Sequence, residues 1–288
     1  MNLKYFKATC LILLASTVTY SQEYKLTKTS GQIHVNFGNV EIVAHNGNDI
    51  VITYNNSKKS EKRGEVEGVI DDSKPAVRPQ FATAVSGIVH NNRNNEDRSK
   101  GLRVINASGL QDNTGFGIHL LDNGGNVELE RVGKTEGKAI LVKVPKAMTV
   151  KVSSTKLGGE DILLKDIDKE IEAAVLYNNI ILQNVTGPMT IKTTYGNVEG
   201  KLGSNLKSPI SIISTYNDID LLLPKDLKAN VNFDASYGDV YADTTINIVI
   251  DKIPTNNKYT NDAIKGKING GGIDFSIKSN YGKIYLRN

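Results

Sequence analysis

One short unit recurs along this chain and restricts its fold more than any other feature. Alternating apolar residues lead to a Tyr or Phe, then to a Gly or Asn, then to a variable and often amidic or acidic residue, then to a Val or Ile. The copies are Phe37-Gly38-Asn39-Val40, Tyr177-Asn178-Asn179-Ile180, Tyr195-Gly196-Asn197-Val198, Tyr216-Asn217-Asp218-Ile219, Tyr237-Gly238-Asp239-Val240 and Tyr281-Gly282-Lys283-Ile284. From Tyr177 to Tyr237 they are spaced by 18, 21 and 21 residues. Tyr281 follows 44 residues after Tyr237, an interval that reads as two further periods. Tyr259 falls midway but lacks the flanking alternation, so it belongs to a loop.

The residues before each aromatic explain the unit. Counting back by twos gives Thr193, Ile191 and Met189; Ser214, Ile212 and Ile210; Ala235, Phe233 and Val231; and Ser279, Ile277 and Phe275. These positions are apolar, with a small residue nearest the corner, and the intervening positions are mostly polar. Period-two alternation is the mark of a strand with one buried and one wet face. A Gly or Asn after the aromatic predicts a positive-φ turn, and the Val or Ile beyond it starts a new strand.

A strand–corner–strand unit that returns every 20 or so residues predicts an all-β fold, a β-solenoid of single-stranded β-helix type with rungs of about 20 residues. One rung cannot bury its apolar face alone. Stacking rungs about 4.8 Å apart completes the backbone ladder and makes a continuous core. A β-sandwich of hairpins is the other architecture for short strands, but near-constant spacing and a shared corner favour the solenoid. Phe37, Tyr177, Tyr195, Tyr216, Tyr237 and Tyr281 are then a structural ladder. Their parity matches the buried residues before them, so their rings are expected at the core edge, and Tyr241 and Tyr285, of opposite parity, are expected to be exposed. No cap is evident after the rung that closes the sequence, which predicts end-to-end self-association.

Other segments depart from the repeat. Residues 1–21 have the three parts of a signal peptide: Lys4 and Lys7, an apolar stretch from Ala8 to Val18, and Thr19-Tyr20-Ser21 before a cleavage point at Gln22. That stretch is about half of what a membrane span needs, so no transmembrane segment is expected. Residues 22–56 are an N-terminal β segment of the solenoid, and 57–100 are a polar, partly disordered insertion with Pro75 and Pro79. Residues 101–288 hold the main repeat. A brief helical turn is expected around Lys165 to Glu172. The one cysteine, Cys10, lies in the leader, so the mature chain has no disulfide, thiolate nucleophile or Cys-ligated metal. The formal charge of +4 falls to +2 without the leader, and no block of like charge suggests nucleic acid as a partner.

The chain resembles the "putative-adhesin" domain-of-unknown-function family of Bacteroidota. The resemblance is carried by Ile140-Leu141-Val142-Lys143-Val144-Pro145 leading into Val150-Lys151-Val152-Ser153, by Gly187-Pro188-Met189-Thr190-Ile191 with its Tyr195 corner, by Leu221-Leu222-Leu223-Pro224, and by Gly266-Lys267-Ile268-Asn269-Gly270-Gly271-Gly272 before the final rung. It covers roughly residues 101–288. It implies an exported β-solenoid related to autotransporter-adhesin head domains, and it brings no catalytic residues.

No motif for catalysis is present: no nucleophile elbow, no nucleotide-binding glycine loop, no paired histidines. His34, between Ile33 and Val35, has outward parity and is expected to be exposed. No cofactor is expected. The corner column Asn179, Asn197, Asp218 and Asp239 suggests turn chemistry. A Ca²⁺ site at Asp218, Asp220 and Asp239 is the sharper alternative, with Asp218 and Asp239 on adjacent rungs, but three carboxylates fall short of six or more oxygens. The expectation is therefore a non-enzymatic exported envelope protein, in the periplasm, on the surface or outside the cell, that binds a glycan or a protein partner. The alternatives are a carbohydrate-active enzyme using surface carboxylates, or a purely structural or stress-related envelope protein.

Overall fold

The computed structural model describes residues 22–55, 108–133, 138–157, 160–251 and 263–288. The leader, the 57–100 insertion and Tyr259 lie outside the described residues. The described residues form strands and no helix. The first are β1 (Tyr24–Thr27), β2 (Gly31–Val35), β3 (Val40–His45) and β4 (Asp49–Tyr54). Then come β5 (Ile118–Asp122), β6 (Asn126–Arg131), β7 (Ile140–Pro145), β8 (Met148–Ser154), β9 (Ile162–Lys165), β10 (Ile171–Val175) and β11 (Ile180–Val185). β12 (Met189–Thr193), β13 (Val198–Leu202), β14 (Ile210–Ser214), β15 (Ile219–Leu222), β16 (Ala229–Ala235) and β17 (Val240–Ala242) continue the repeat. β18 (Ile248–Ile250), β19 (Ile264–Ile268), β20 (Ile273–Ser279) and β21 (Ile284–Arg287) close it.

Eight rungs, each a strand of one sheet followed in sequence by a strand of the other, stack as β6/β7, β2/β3, β8/β9, β10/β11, β12/β13, β14/β15, β20/β21 and β16/β17. Neighbouring rungs pair in parallel register, as in Met189↔Ile210 and Val198↔Ile219. The alternation read from the sequence is what closes the core. Met189, Ile191 and Thr193 turn inward from one sheet, Val198 and Leu202 from the other, and both faces meet in one apolar cluster. Each fully buried Ile, Leu or Val contributes about 1.5–3 kcal/mol of transfer free energy. The solenoid expectation holds.

Rung order in space is not rung order in sequence. The last rung, β20/β21, is inserted between β14/β15 and β16/β17, and β2/β3 is inserted between β6/β7 and β8/β9. The final rung is therefore interior, and the reason given above for end-to-end association does not hold. Antiparallel strands lie beyond the outer rungs: β5 on β6, β4 on β7 with β1 on β4, and β19 on β16 with β18 on β19. The 44-residue interval is thus not two solenoid periods. Before β20 it holds β17 and the β18–β19 hairpin, whose β19 runs antiparallel to β16.

Lys165 to Glu172 contains no helical turn. β9 ends at Lys165, Asp166 takes a left-handed conformation (φ 57°), and buried Ile167 anchors the crossing to β10. A left-handed residue ends any right-handed helical turn. The next rung repeats the device at Asn184 (φ 54°), whose Nδ2 donates to Asp166 Oδ1 at 2.7 Å.

Candidate functional site: the tyrosine column and its open end

The small residue two places before Tyr195, Tyr216 and Tyr281 builds the corner, while Val175 holds that place before Tyr177. The hydroxyls of Thr193, Ser214 and Ser279 are buried and accept from the amides of Gly196, Asn217 and Gly282 at 3.0, 3.3 and 3.0 Å. The Ser279 hydroxyl also donates to the Asn217 carbonyl of the neighbouring rung at 3.1 Å. One hydroxyl thus closes its own turn and ties it to the next. Ala235 holds this place in the outermost rung, where the Gly238 amide uses the Ala235 carbonyl at 3.3 Å instead.

The residue after the tyrosine is buried at Asn178, Gly196 and Gly282, which reverses the sequence expectation for the aromatic. Gly196 and Gly282 are buried, and a Cβ on Gly196 would stand 1.8 Å from the Asn178 carbonyl oxygen of the rung below. Their φ values are not positive, so close approach, not a left-handed turn, requires glycine here. With the next residue inward, the tyrosine ring is outward. Tyr195 and Tyr216 are each 46 % exposed, Tyr281 54 % and Tyr237 76 %. The parity rule fails because the strand ends before the aromatic.

Five of the six ladder residues form one continuous column in the order Tyr177, Tyr195, Tyr216, Tyr281, Tyr237. Centroids are 5.2, 4.8, 5.1 and 4.9 Å apart and ring planes agree within 9°. The sixth, Phe37, is not part of it. It is 1 % exposed, beneath the Arg131 guanidinium at 4.9 Å, and burial pushes the pKa of that guanidinium down. Aromatic pairs of this kind add about 0.5–1.5 kcal/mol each beyond the area they bury. The stacking also decides what the column can recognise. Each interior ring has its faces against its neighbours, so it offers solvent only edges and hydroxyls. The outermost ring, Tyr237, has one face covered by Tyr281 and the other open.

A second, shorter stack runs beside it. Tyr241 lies 5.3 Å from Tyr285 at 13°, and Tyr241 is 45 % exposed. Tyr285 is half-buried, so only Tyr241 shows the expected exposure. The Tyr241 hydroxyl donates to Asp239 Oδ2 at 3.1 Å, a hydrogen bond that raises its pKa. Both stacks end at the same place because β17 is the edge of its sheet while the other sheet continues through β19 and β18.

The acidic column does not gather into a cation site. Lys283, from the inserted rung, lies between Asp218 and Asp239, so these two are not on adjacent rungs. Asp218 Oδ1 accepts the Lys283 amide at 2.7 Å. Asp220 is held by Arg287 through two bonds of 2.6 and 2.7 Å, and Asp239 takes the Tyr241 hydroxyl. The column's chemistry is backbone capture between rungs. Asn179 Oδ1 accepts the Asn197 amide at 2.9 Å, and Asn197 Oδ1 accepts the Asp218 amide at 3.3 Å.

Two further features resemble sites. His34 is half-buried, its pKa lowered first by burial and then by Lys151, and its Nε2 is 2.9 Å from the Ser153 hydroxyl. It is not the exposed residue expected, because the Ser153 strand packs alongside it. Ser153 donates to the Asn36 Oδ1, and Asn36 Nδ2 donates to Glu130 at 2.6 Å. The serine proton is therefore directed at an amide and not at the imidazole, the reverse of an activated nucleophile. The second feature is a cleft of about 430 Å³ between the ends of β13, β15 and β21, lined by Lys201, Ser204, Leu222, Lys225 and Asp226 among others. Asp226 is the one acidic side chain in its lining.

A parallel two-sheet solenoid with an aromatic column along one corner defines the class of protein. Residues 117–287, more than half of the chain, match the Toastrack DUF4097 family, and the chain belongs to it. A solved structure described as a "putative cell adhesion protein", from Clostridium sporogenes ATCC 15579, is similar over 92 % of this chain and 98 % of that one, at 11 % identity and a TM-score of 0.41. No curated protein matches the chain. Among the described residues, no helix is long and apolar enough to cross a membrane.

Proposed function

We propose that this is a non-enzymatic, exported envelope protein that acts as an adhesin-like scaffold and holds a glycan at the open end of its tyrosine stacks. One observation carries the reading. At that end the uncovered face of Tyr237 and the ring of Tyr241 flank Asp239 at β17, which pairs with β21 on one side and, among the described residues, with no strand on the other. A ring face packs against the C–H face of a sugar, and a carboxylate accepts sugar hydroxyls. A polypeptide strand is a poorer fit for this edge. β17 has three residues and is bracketed by Asp239 and Asp243, and short, charged edges resist strand pairing.

A glycan array probed with the mature chain, residues 22–288, tests this. Selective binding is expected, weakened about tenfold, or about 1.4 kcal/mol, in Tyr237→Ala. Tyr237→Phe keeps the ring face and retains binding, and Tyr195→Phe has no effect. Binding that ignores Tyr237→Ala would sink the site. No binding at all would leave a protein partner or a purely structural role.

A further inference from the structure

The tyrosine column has a second chemistry, one that uses the phenol hydroxyls and ring edges and not the open face of Tyr237. Four rings on successive rungs of the stack, Tyr195, Tyr216, Tyr281 and Tyr237, are each close to half exposed or more, so an oxidant reaches them from solvent. Each has a ring 4.8–5.1 Å away and parallel within 7°. The backbone beneath is fixed: the amides of Tyr216, Tyr281 and Tyr237 each donate to a carbonyl of the adjacent rung at 3.0, 2.9 and 2.9 Å. Phenols held this way are at high effective concentration toward one another, well above that of any phenol on a second chain in dilute solution. The mature chain carries no cysteine, so no thiol competes for the oxidant.

We propose that the column is an oxidative cross-linking site, in which neighbouring tyrosines couple to o,o′-dityrosine and fasten the rungs covalently. Each of two adjacent phenols loses one electron and one proton to become a phenoxyl radical. The two radicals join through a new carbon–carbon bond between ring positions ortho to the hydroxyls. Each coupled carbon then releases its hydrogen to the phenol oxygen as the rings regain aromaticity. Two electrons and two protons leave overall. The oxidant is a peroxide used by a haem peroxidase, and one peroxide accepts both electrons and both protons and becomes two waters. The exposed side chains pivot to bring the ortho carbons into bonding range while the rungs stay in place.

The rung order makes the product specific. Coupling joins Tyr216 to Tyr281 and Tyr281 to Tyr237, and not Tyr216 to Tyr237, although the latter two are consecutive copies in sequence. The link through Tyr281 fastens the inserted last rung to both of its neighbours.

The experiment treats the dilute mature chain with horseradish peroxidase and hydrogen peroxide, then reads dityrosine fluorescence and the linked peptides by tandem mass spectrometry. The expected products are the 195–216, 216–281 and 281–237 pairs within one chain, still monomeric on a denaturing gel and with a raised melting temperature. Tyr281→Phe keeps the stack but has no phenol. It should lose both pairs that involve residue 281 and retain 195–216. Links that form only between chains, a 216–237 pair in the unsubstituted chain, or tyrosine loss without dityrosine would each overturn the proposal.

Discussion

At the scale of single residues, the corner is the most demanding part of this fold. Replacing Ser279 by Ala leaves the buried Gly282 amide without its 3.0 Å acceptor and the Asn217 carbonyl without its donor. An unsatisfied buried group costs about 1–3 kcal/mol, so Ser279→Ala should lower the denaturant midpoint accordingly, while Ser279→Thr, which keeps the hydroxyl, should not. Gly282→Ala should cost about 3 kcal/mol, because its Cβ would stand 2.2 Å from the Asn217 carbonyl oxygen and backbone cannot move aside. His34 makes a pH-dependent contribution. Burial and Lys151 hold its pKa below that of an unfolded histidine, and Glu128, Glu130 and Glu172 oppose this only in part. The unfolded chain therefore takes up the proton first. Stability is full above about pH 6.5 and falls as the pH drops below it, and His34→Gln should flatten that decline in equilibrium denaturation. The sequence showed that a small residue precedes Tyr195, Tyr216, Tyr237 and Tyr281 by two. It did not show that the hydroxyl of Thr193, Ser214 or Ser279 was the reason, since a small apolar residue such as Ala235 fits the same alternation. Nor did it show the ring direction, because two-residue parity holds within a strand and lapses at the corner where the tyrosine stands.

At the scale of elements, the strands were legible and their neighbours were not. Alternation marks β12, β14, β16 and β20 plainly, since each carries the same inward apolar residues. That similarity hides the order of stacking. Ile210 meets Phe275 across β14 and β20, but nothing in either residue favours Phe275 over the chemically similar Val231 of β16. The one signal that breaks the tie lies between them. Ile246 to Ile250 and Gly266 to Ile268 are strand-like but lack the tyrosine corner, as suits a hairpin added beyond the last rung. Insertion of β20 has a measurable consequence. A chain stopped at Gly272 removes the strand that stands between β14 and β16 and leaves both without a parallel partner on that side. Hydrogen exchange should show protection lost across 229–250 and 264–268 and kept across 140–157 and 160–222. Uniform protection in the shortened chain would mean that β16 docks on β14 unaided.

At the scale of the whole molecule, the stack is a series of like rungs with two out of sequence, one near each end. An ordinary solenoid holds its terminal repeat along one side only, so it can come apart from the end one repeat at a time. Here the rungs formed by β2/β3 and β20/β21 are held along both sides. A load applied through Asn288 does not peel an outer layer. It must draw β20 and β21 from between two neighbours in each sheet, against twice the hydrogen-bonded length and, at Tyr281, against a ring on either face. Traction on the chain is thereby carried into the body of the stack, so the molecule resists tension as a tenon held in a mortise does, and not as a zipper.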